Sequence, residues 1–160
     1  LIEAAGFVPD VEVWILGGTA LQHQRMEKAS GPFPPNVQMI ERVDPAEVPK
    51  YLAASDVLVL PNTAEQRISQ QYTSPLKLFE YMAMRRPIVA SEIPSLTEIL
   101  DNSCAYFAVP DDPESFGKTI REVMDDPEAQ QKAKQAREAV KKYSWLRRAQ
   151  MITEFLEEED

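Results

Sequence analysis

The chain reads as an α/β protein, a three-layer domain built on a mostly parallel sheet. Three observations lead there. Short apolar runs alternate with longer helix-patterned stretches. Several of those runs lack a polar alternate, as strands covered on both faces do. The helix starts carry proline just after an Asp or Ser. At 160 residues, one domain with its own core is expected.

The strands expected are 11–16, 37–40, 57–60, 88–90 and 105–107, each rich in Val, Ile, Leu or aromatic residues. Interleaved helices turn such a series into a parallel sheet with crossover connections. Asp112-Pro113-Glu114 and Asp126-Pro127-Glu128 each supply an N-cap acid, a first-turn proline and an acid for the helix dipole. Ser74-Pro75 is the same device with serine. Pro49 falls in the first turn of a helix carrying Tyr51 and Leu52. A last helix starts near Ser144, with Trp145, Ala149, Ile152, Phe155 and Leu156 spaced to share a face. Ahead of the first strand, Leu1 to Ala5 reads as the end of a helix. A doubly wound sheet opens on a strand that lies in its middle, so the expectation is a domain whose first strand is missing.

Composition narrows the function. A net charge of -9 argues against a nucleic-acid partner, which needs a basic surface. No apolar run approaches the roughly 20 residues of a membrane span, and the N-terminus has no signal-peptide pattern. One cysteine, Cys104, and one histidine, His23, offer neither a disulfide nor a metal cluster. Neither a metal nor a cofactor is expected, and the expected setting is the cytoplasm. A small anionic ligand remains compatible, because one helix N-terminus and a cation can hold a diphosphate whatever the global charge.

The informative segment is 61–83. The connection from Pro61 to Thr73 is long for a strand-to-helix loop, and it leaves the sheet edge where parallel α/β folds bind ligands. It ends on Ser74-Pro75, beyond which the amides of Leu76 and Lys77 face whatever occupies that edge. On this helix Leu76, Phe79, Met82 and Ala83 are expected toward the sheet, with Lys77, Glu80 and Tyr81 on other faces. Taken alone, Ser-Pro is a helix cap and Glu80 a solvated acid.

The run Thr73-Ser74-Pro75-Leu76-Lys77-Leu78-Phe79-Glu80-Tyr81-Met82-Ala83, with Pro87-Ile88-Val89-Ala90 after it, resembles the glycosyltransferase group 1 family of retaining enzymes. These have the GT-B fold of two Rossmann-like domains. The segments 54–61, 91–98 and 143–145 and the turn Trp14-Ile15-Leu16-Gly17-Gly18 resemble it too, in order along the chain. The resemblance implies that residues 1–160 are a single incomplete C-terminal domain, one Rossmann-like half of a GT-B fold, with the N-terminal acceptor domain absent. It implies a nucleotide-diphospho-sugar donor and metal-independent, retaining glycosyl transfer of hexosyltransferase type. The fragment alone is expected to be inactive. Any peripheral membrane contact would come through the missing half.

The site residues follow from the same resemblance. The second glutamate of the family's Glu-x7-Glu motif maps to Glu80, which would accept from the donor ribose hydroxyls. The first falls on Tyr72, so the sugar contact must come from Tyr72, Gln71 or elsewhere. Ser74, Leu76 and Lys77 map around the diphosphate and sugar, and Arg42-Val43 to the loop lining the base. Arg85 stands where the family has a glycine suited to a left-handed turn. Two other readings stay open: a non-catalytic nucleotide-binding or interaction module, as Tyr72 suggests, and a nucleotide-sugar epimerase on the same fold. The second would need a histidine near the phosphates, and His23 is far from Glu80 in sequence.

Overall fold

The computed structural model describes residues 1–67, 69–70 and 76–157. After a 3-10 turn at Glu3–Phe7 come β1 (Val13–Leu16), α1 (Ala20–Ser30), β2 (Val37–Ile40), α2 (Val48–Ala54) and β3 (Leu58–Leu60). Then follow α3 (Leu76–Ala83), β4 (Ile88–Ser91), α4 (Pro94–Thr97), β5 (Tyr106–Ala108), α5 (Pro113–Asp125), α6 (Ala129–Ala139) and α7 (Trp145–Glu157). All five expected strands form, within two residues of their expected bounds. All recorded pairings are parallel. They do not make one sheet: β1 pairs β2, and β3, β4 and β5 pair in that order.

The three layers are visible in β4. Ile88 and Ala90 join a core with Leu78 and Met82 of α3, Leu96 of α4 and Ala136 of α6. Val89 turns the other way, into a core with Ala4, Val8 and the α5 residues Phe116, Ile120 and Val123. Strand side chains alternate between faces, so a strand buried on both must be apolar throughout. Ile88, Val89 and Ala90 are fully buried.

Helix starts obey the expected chemistry with one exception. Asp112 caps α5, accepting from the amides of Glu114 at 3.0 Å and Ser115 at 3.1 Å, with Pro113 in the first turn. Ser144 accepts from the Arg147 amide at 3.2 Å ahead of α7, and α2 has its proline in the first turn. Asp126 does not open α6, which begins at Ala129. Its carboxylate takes the Tyr106 hydroxyl at 2.5 Å and the Glu128 amide at 2.8 Å, so the cap is shared with a tyrosine of β5. α1 was not expected from its weakly amphipathic sequence. A capping box starts it: the Thr19 amide donates to Gln22 Oε1 at 2.8 Å, and the Gln22 amide to Thr19 Oγ1 at 3.3 Å.

The register of α3 differs from expectation. Leu78 and Met82 are the fully buried pair, one turn apart, whereas Leu76 is 62% exposed. With only eight residues, the helix can bury a single i, i+4 pair at full depth, and Leu76 lies on the far side of it. The helix ends on Arg85 at φ 57°. The left-handed turn therefore forms although arginine stands where glycine suits it.

Candidate functional site

Parallel sheets deliver their loops to one edge, and a cleft of about 670 Å³ opens between the two sheets. Its wall includes Gly17 after β1, Arg42 and Val43 after β2, and Lys77, Glu80 and Tyr81 of α3. Arg42 and Val43 follow β2 of one sheet and Lys77 and Glu80 lie on the helix after β3 of the other, at positions up to 38 residues apart, yet they share this one cavity. Arg42, Lys77 and Glu80 are exposed and Val43 is half-buried. Leu76 does not line the cleft. Tyr72 and Ser74 lie outside the described residues.

Local structure explains each position. The Arg42 amide donates to the Gly18 carbonyl at 2.9 Å, and the Gly17 amide to the Ile40 carbonyl at 2.9 Å. These bonds carry the β1–β2 pairing past the strand ends and hold the Arg42 loop against the Gly17-Gly18 turn. Both glycines have positive φ, 131° and 79°, which side chains resist. His23 Nε2 lies 2.6 Å from the Gly17 carbonyl oxygen, so the histidine braces this turn from behind and is not on the cleft wall. Lys77 and Glu80 lie three residues apart on α3, and the first-turn amides of a helix are without intrahelical acceptors. Burial, then the Glu80 carboxylate beside it, pushes the Tyr81 hydroxyl above its ordinary pKa. On the cleft wall Trp14 and Tyr51 meet edge to face, with centroids 6.2 Å apart at 74°.

The long loop after β3 is tied down by residues with no motif to announce them. Ser91 Oγ, at the end of β4, donates to the Asn62 carbonyl at 2.6 Å. Ser95 Oγ donates to the Ser69 carbonyl at 2.8 Å. The Ala64 amide donates to Asp111 Oδ2 at 2.7 Å, and Asp111 itself sits at φ 58°. Serine after an apolar strand is too common a pattern to point to these roles. Cys104 is buried, and that burial pushes its thiol pKa upward. Among the described residues no cluster of His, Cys, Asp or Glu could hold a metal ion, and no helix is long and apolar enough to cross a membrane.

Residues 1–126 match the family described as "Glycosyl transferases group 1". The chain belongs to this family. The match takes in β1 to β5, both glycines of the Gly17 turn and the whole of α3. A protein of Bacillus subtilis (strain 168) described as a teichuronic acid biosynthesis glycosyltransferase, TuaH, is 37% identical over 65 residues, which is 41% of this chain and 16% of TuaH. Among solved structures, Anabaena HepE in complex with UDP-glucose superposes with a TM-score of 0.74 at 15% identity, over 98% of this chain and 44% of HepE. The C-terminal domain of the group 1 protein LpcC of Francisella tularensis superposes with a TM-score of 0.66 at 21% identity, over 90% of this chain and 77% of that domain. These likenesses show a Rossmann-like α/β fold of the kind found in GT-B glycosyltransferases. The chain spans less than half the length of HepE.

Proposed function

We propose that this chain is the donor-binding domain of a glycosyltransferase that uses a nucleoside-diphosphate sugar, transferring hexose with retention and without a metal ion. The observation that carries the reading is the convergence of Arg42, Val43, Lys77 and Glu80 on one cleft. In this reading Glu80 accepts from the ribose hydroxyls, and the loop at Arg42 and Val43 lines the base. Lys77, at the start of α3, meets the diphosphate; the resemblance assigns Ser74 and Leu76 to the same group, although Leu76 is not on the cleft wall. The resemblance assigns Tyr72 to the transferred sugar.

The chemistry asks for these groups. Breaking the bond between the anomeric carbon and the diphosphate oxygen sends the electron pair to the diphosphate. A fixed cation and helix amides stabilise that growing charge without reorganising. The UDP-glucose held by HepE, of the same fold, supports a nucleotide-sugar ligand, as does membership in the group 1 family. That membership favours transfer over epimerisation, and so does His23, whose ring is engaged with the Gly17 carbonyl. The acceptor is proposed to be held by a second domain of the full enzyme, in the cytoplasm, which leaves residues 1–160 alone without turnover.

Calorimetric titration of the chain with UDP, UDP-glucose and GDP-mannose tests the site. Glu80→Ala should weaken the preferred ligand about tenfold, the worth of hydrogen bonds to a charged group. Lys77→Ala should weaken nucleoside diphosphates more than nucleosides. Equal binding by the wild type and Glu80→Ala overturns the assignment.

A further inference from the structure

His23 is the one histidine of the chain. It is the fourth residue of α1, half-buried and off the cleft wall. Helix side chains lean toward the helix N-terminus, so its imidazole reaches back past Thr19 to the turn after β1. There Nε2 lies 2.6 Å from the Gly17 carbonyl oxygen. A carbonyl oxygen only accepts, so Nε2 carries the proton and donates it to this bond. The ring also fills the space against Gly18: a β-carbon on that glycine would lie 3.0 Å from Nε2 and 3.3 Å from Cδ2. The peptides on the two sides of Gly18 are thus held by neighbouring residues of α1. His23 holds the first through the Gly17 carbonyl, and Gln22 Oε1 holds the second through the Thr19 amide at 2.8 Å.

What this turn holds in its own right is part of the cleft. The Gly18 carbonyl accepts from the Arg42 amide at 2.9 Å, and among the described residues this is the one hydrogen bond that Arg42 or Val43 makes. Beyond them the loop supports itself. The Asp44 carboxylate accepts from the Ala46 amide at 2.8 Å, and the Asp44 carbonyl from the Glu47 amide at 2.8 Å. The placement of Arg42 and Val43 on the cleft wall therefore depends on where the Gly18 carbonyl points. Two consecutive glycines at φ 131° and 79° fix that direction poorly by themselves, because glycine has the widest choice of backbone conformation. The bond from His23 removes part of that choice.

We infer that His23 is a positioning residue of the ligand site. From behind the cleft it locks the Gly17-Gly18 turn, and through the Gly18 carbonyl it sets where Arg42 and Val43 stand on the wall. It touches no ligand and takes no part in bond making; its effect is on affinity. The ligand concerned is the nucleoside diphosphate of the proposed function, so the effect on affinity rests on that reading, whereas the hold on Arg42 does not.

The test compares the wild-type chain with His23→Gln, His23→Phe and, as a control on α1, Gln24→Ala, whose side chain is exposed. Glutamine offers an N–H donor at a similar reach, while phenylalanine keeps a ring and loses the donor. Amide hydrogen exchange at Arg42, measured without ligand, should speed up about fivefold in His23→Phe, the factor one hydrogen bond is worth. UDP titration should show a Kd weaker by the same factor. His23→Gln and Gln24→Ala should stay within about twofold of wild type in both measurements. Long-range proton–nitrogen spectra of the single wild-type imidazole, which need no variant to fold, should place a proton on Nε2. Unchanged exchange at Arg42 in His23→Phe, glutamine as poor as phenylalanine, or a proton on Nδ1 alone overturns the inference. Faster exchange with unchanged UDP affinity overturns the role in the site. A wild type that does not bind UDP overturns the donor-binding reading, and the effect on affinity with it, while exchange at Arg42 still decides whether His23 holds the turn.

Discussion

Gly117 of α5 lies so close to Phe7 that a β-carbon on it would sit 2.4 Å from Phe7 Cβ and 3.4 Å from the Ala4 carbonyl oxygen. This contact clamps the entry turn onto α5, beneath the path into β1. Glycine inside a helix ordinarily costs about 1 kcal/mol relative to alanine, so Gly117→Ala should stabilise if nothing else mattered. Here the neighbour is a β-carbon, which moves only with its backbone, and overpacking costs about 1–3 kcal/mol. We expect a net loss of up to about 2 kcal/mol in urea unfolding. A more stable variant would refute the clamp.

Arg85 ends α3 at φ 57°, a conformation that costs a side chain roughly 1 kcal/mol and a β-branched one more. Thermal unfolding should rank Arg85→Gly at or above wild type, by up to about 1 kcal/mol, and Arg85→Val below it. Glycine gains less than the full strain because it also loosens the unfolded chain. If valine proves as stable as arginine, the turn is not left-handed in solution.

Asn36 fastens the entry segment through Nδ2, which donates to the carbonyls of Ala5 at 3.0 Å, Val8 at 3.0 Å and Val11 at 2.8 Å. Alanine there strands those acceptors, at about 1–3 kcal/mol. Asn36→Asp should be worse, because a carboxylate has no proton to donate and would face three carbonyl oxygens. Chemical denaturation at neutral pH decides the order, and an aspartate milder than alanine would contradict it.

The Tyr106 hydroxyl holds Asp126 below the usual carboxylate range. A folded pKa below the unfolded one, about 3.9, means the stabilisation is complete above that value and fades as pH falls through the folded one. Tyr106→Phe should therefore lose stability most at neutral pH, with its deficit shrinking below about pH 4. Urea midpoints of both proteins from pH 7 to pH 2 measure this. A deficit that does not change with pH would assign the tyrosine's role to packing alone.

Much of the fold was legible because its cues are local. β4 is apolar at every position since both of its faces are covered, and Asp112-Pro113 announces α5 by side-chain and ring chemistry within one turn. Where a side chain had a distant competitor, the local cue failed: Asp126 is drawn to Tyr106, twenty residues away, and α6 starts later. Which pair of a short helix goes inward also depends on its neighbours, so Leu78 and Met82, not Leu76, meet the core. In the candidate site, Lys77 and Glu80 were readable because α3 carries a motif. Ser91, Ser95 and Asp111 were not, because each acts on a loop backbone 26 to 47 residues away.

By itself the sequence determined the layers, the parallel strands and the identity of α3, all of which follow from spacing and capping over a few residues. Only the tertiary structure decided that Arg42 and Glu80 share a cleft, that Arg85 accepts a left-handed turn, and that the strands form two sheets with a cleft between them. Those outcomes depend on contacts between residues far apart in the chain, where loop closure and packing choose among arrangements that local propensity leaves equal.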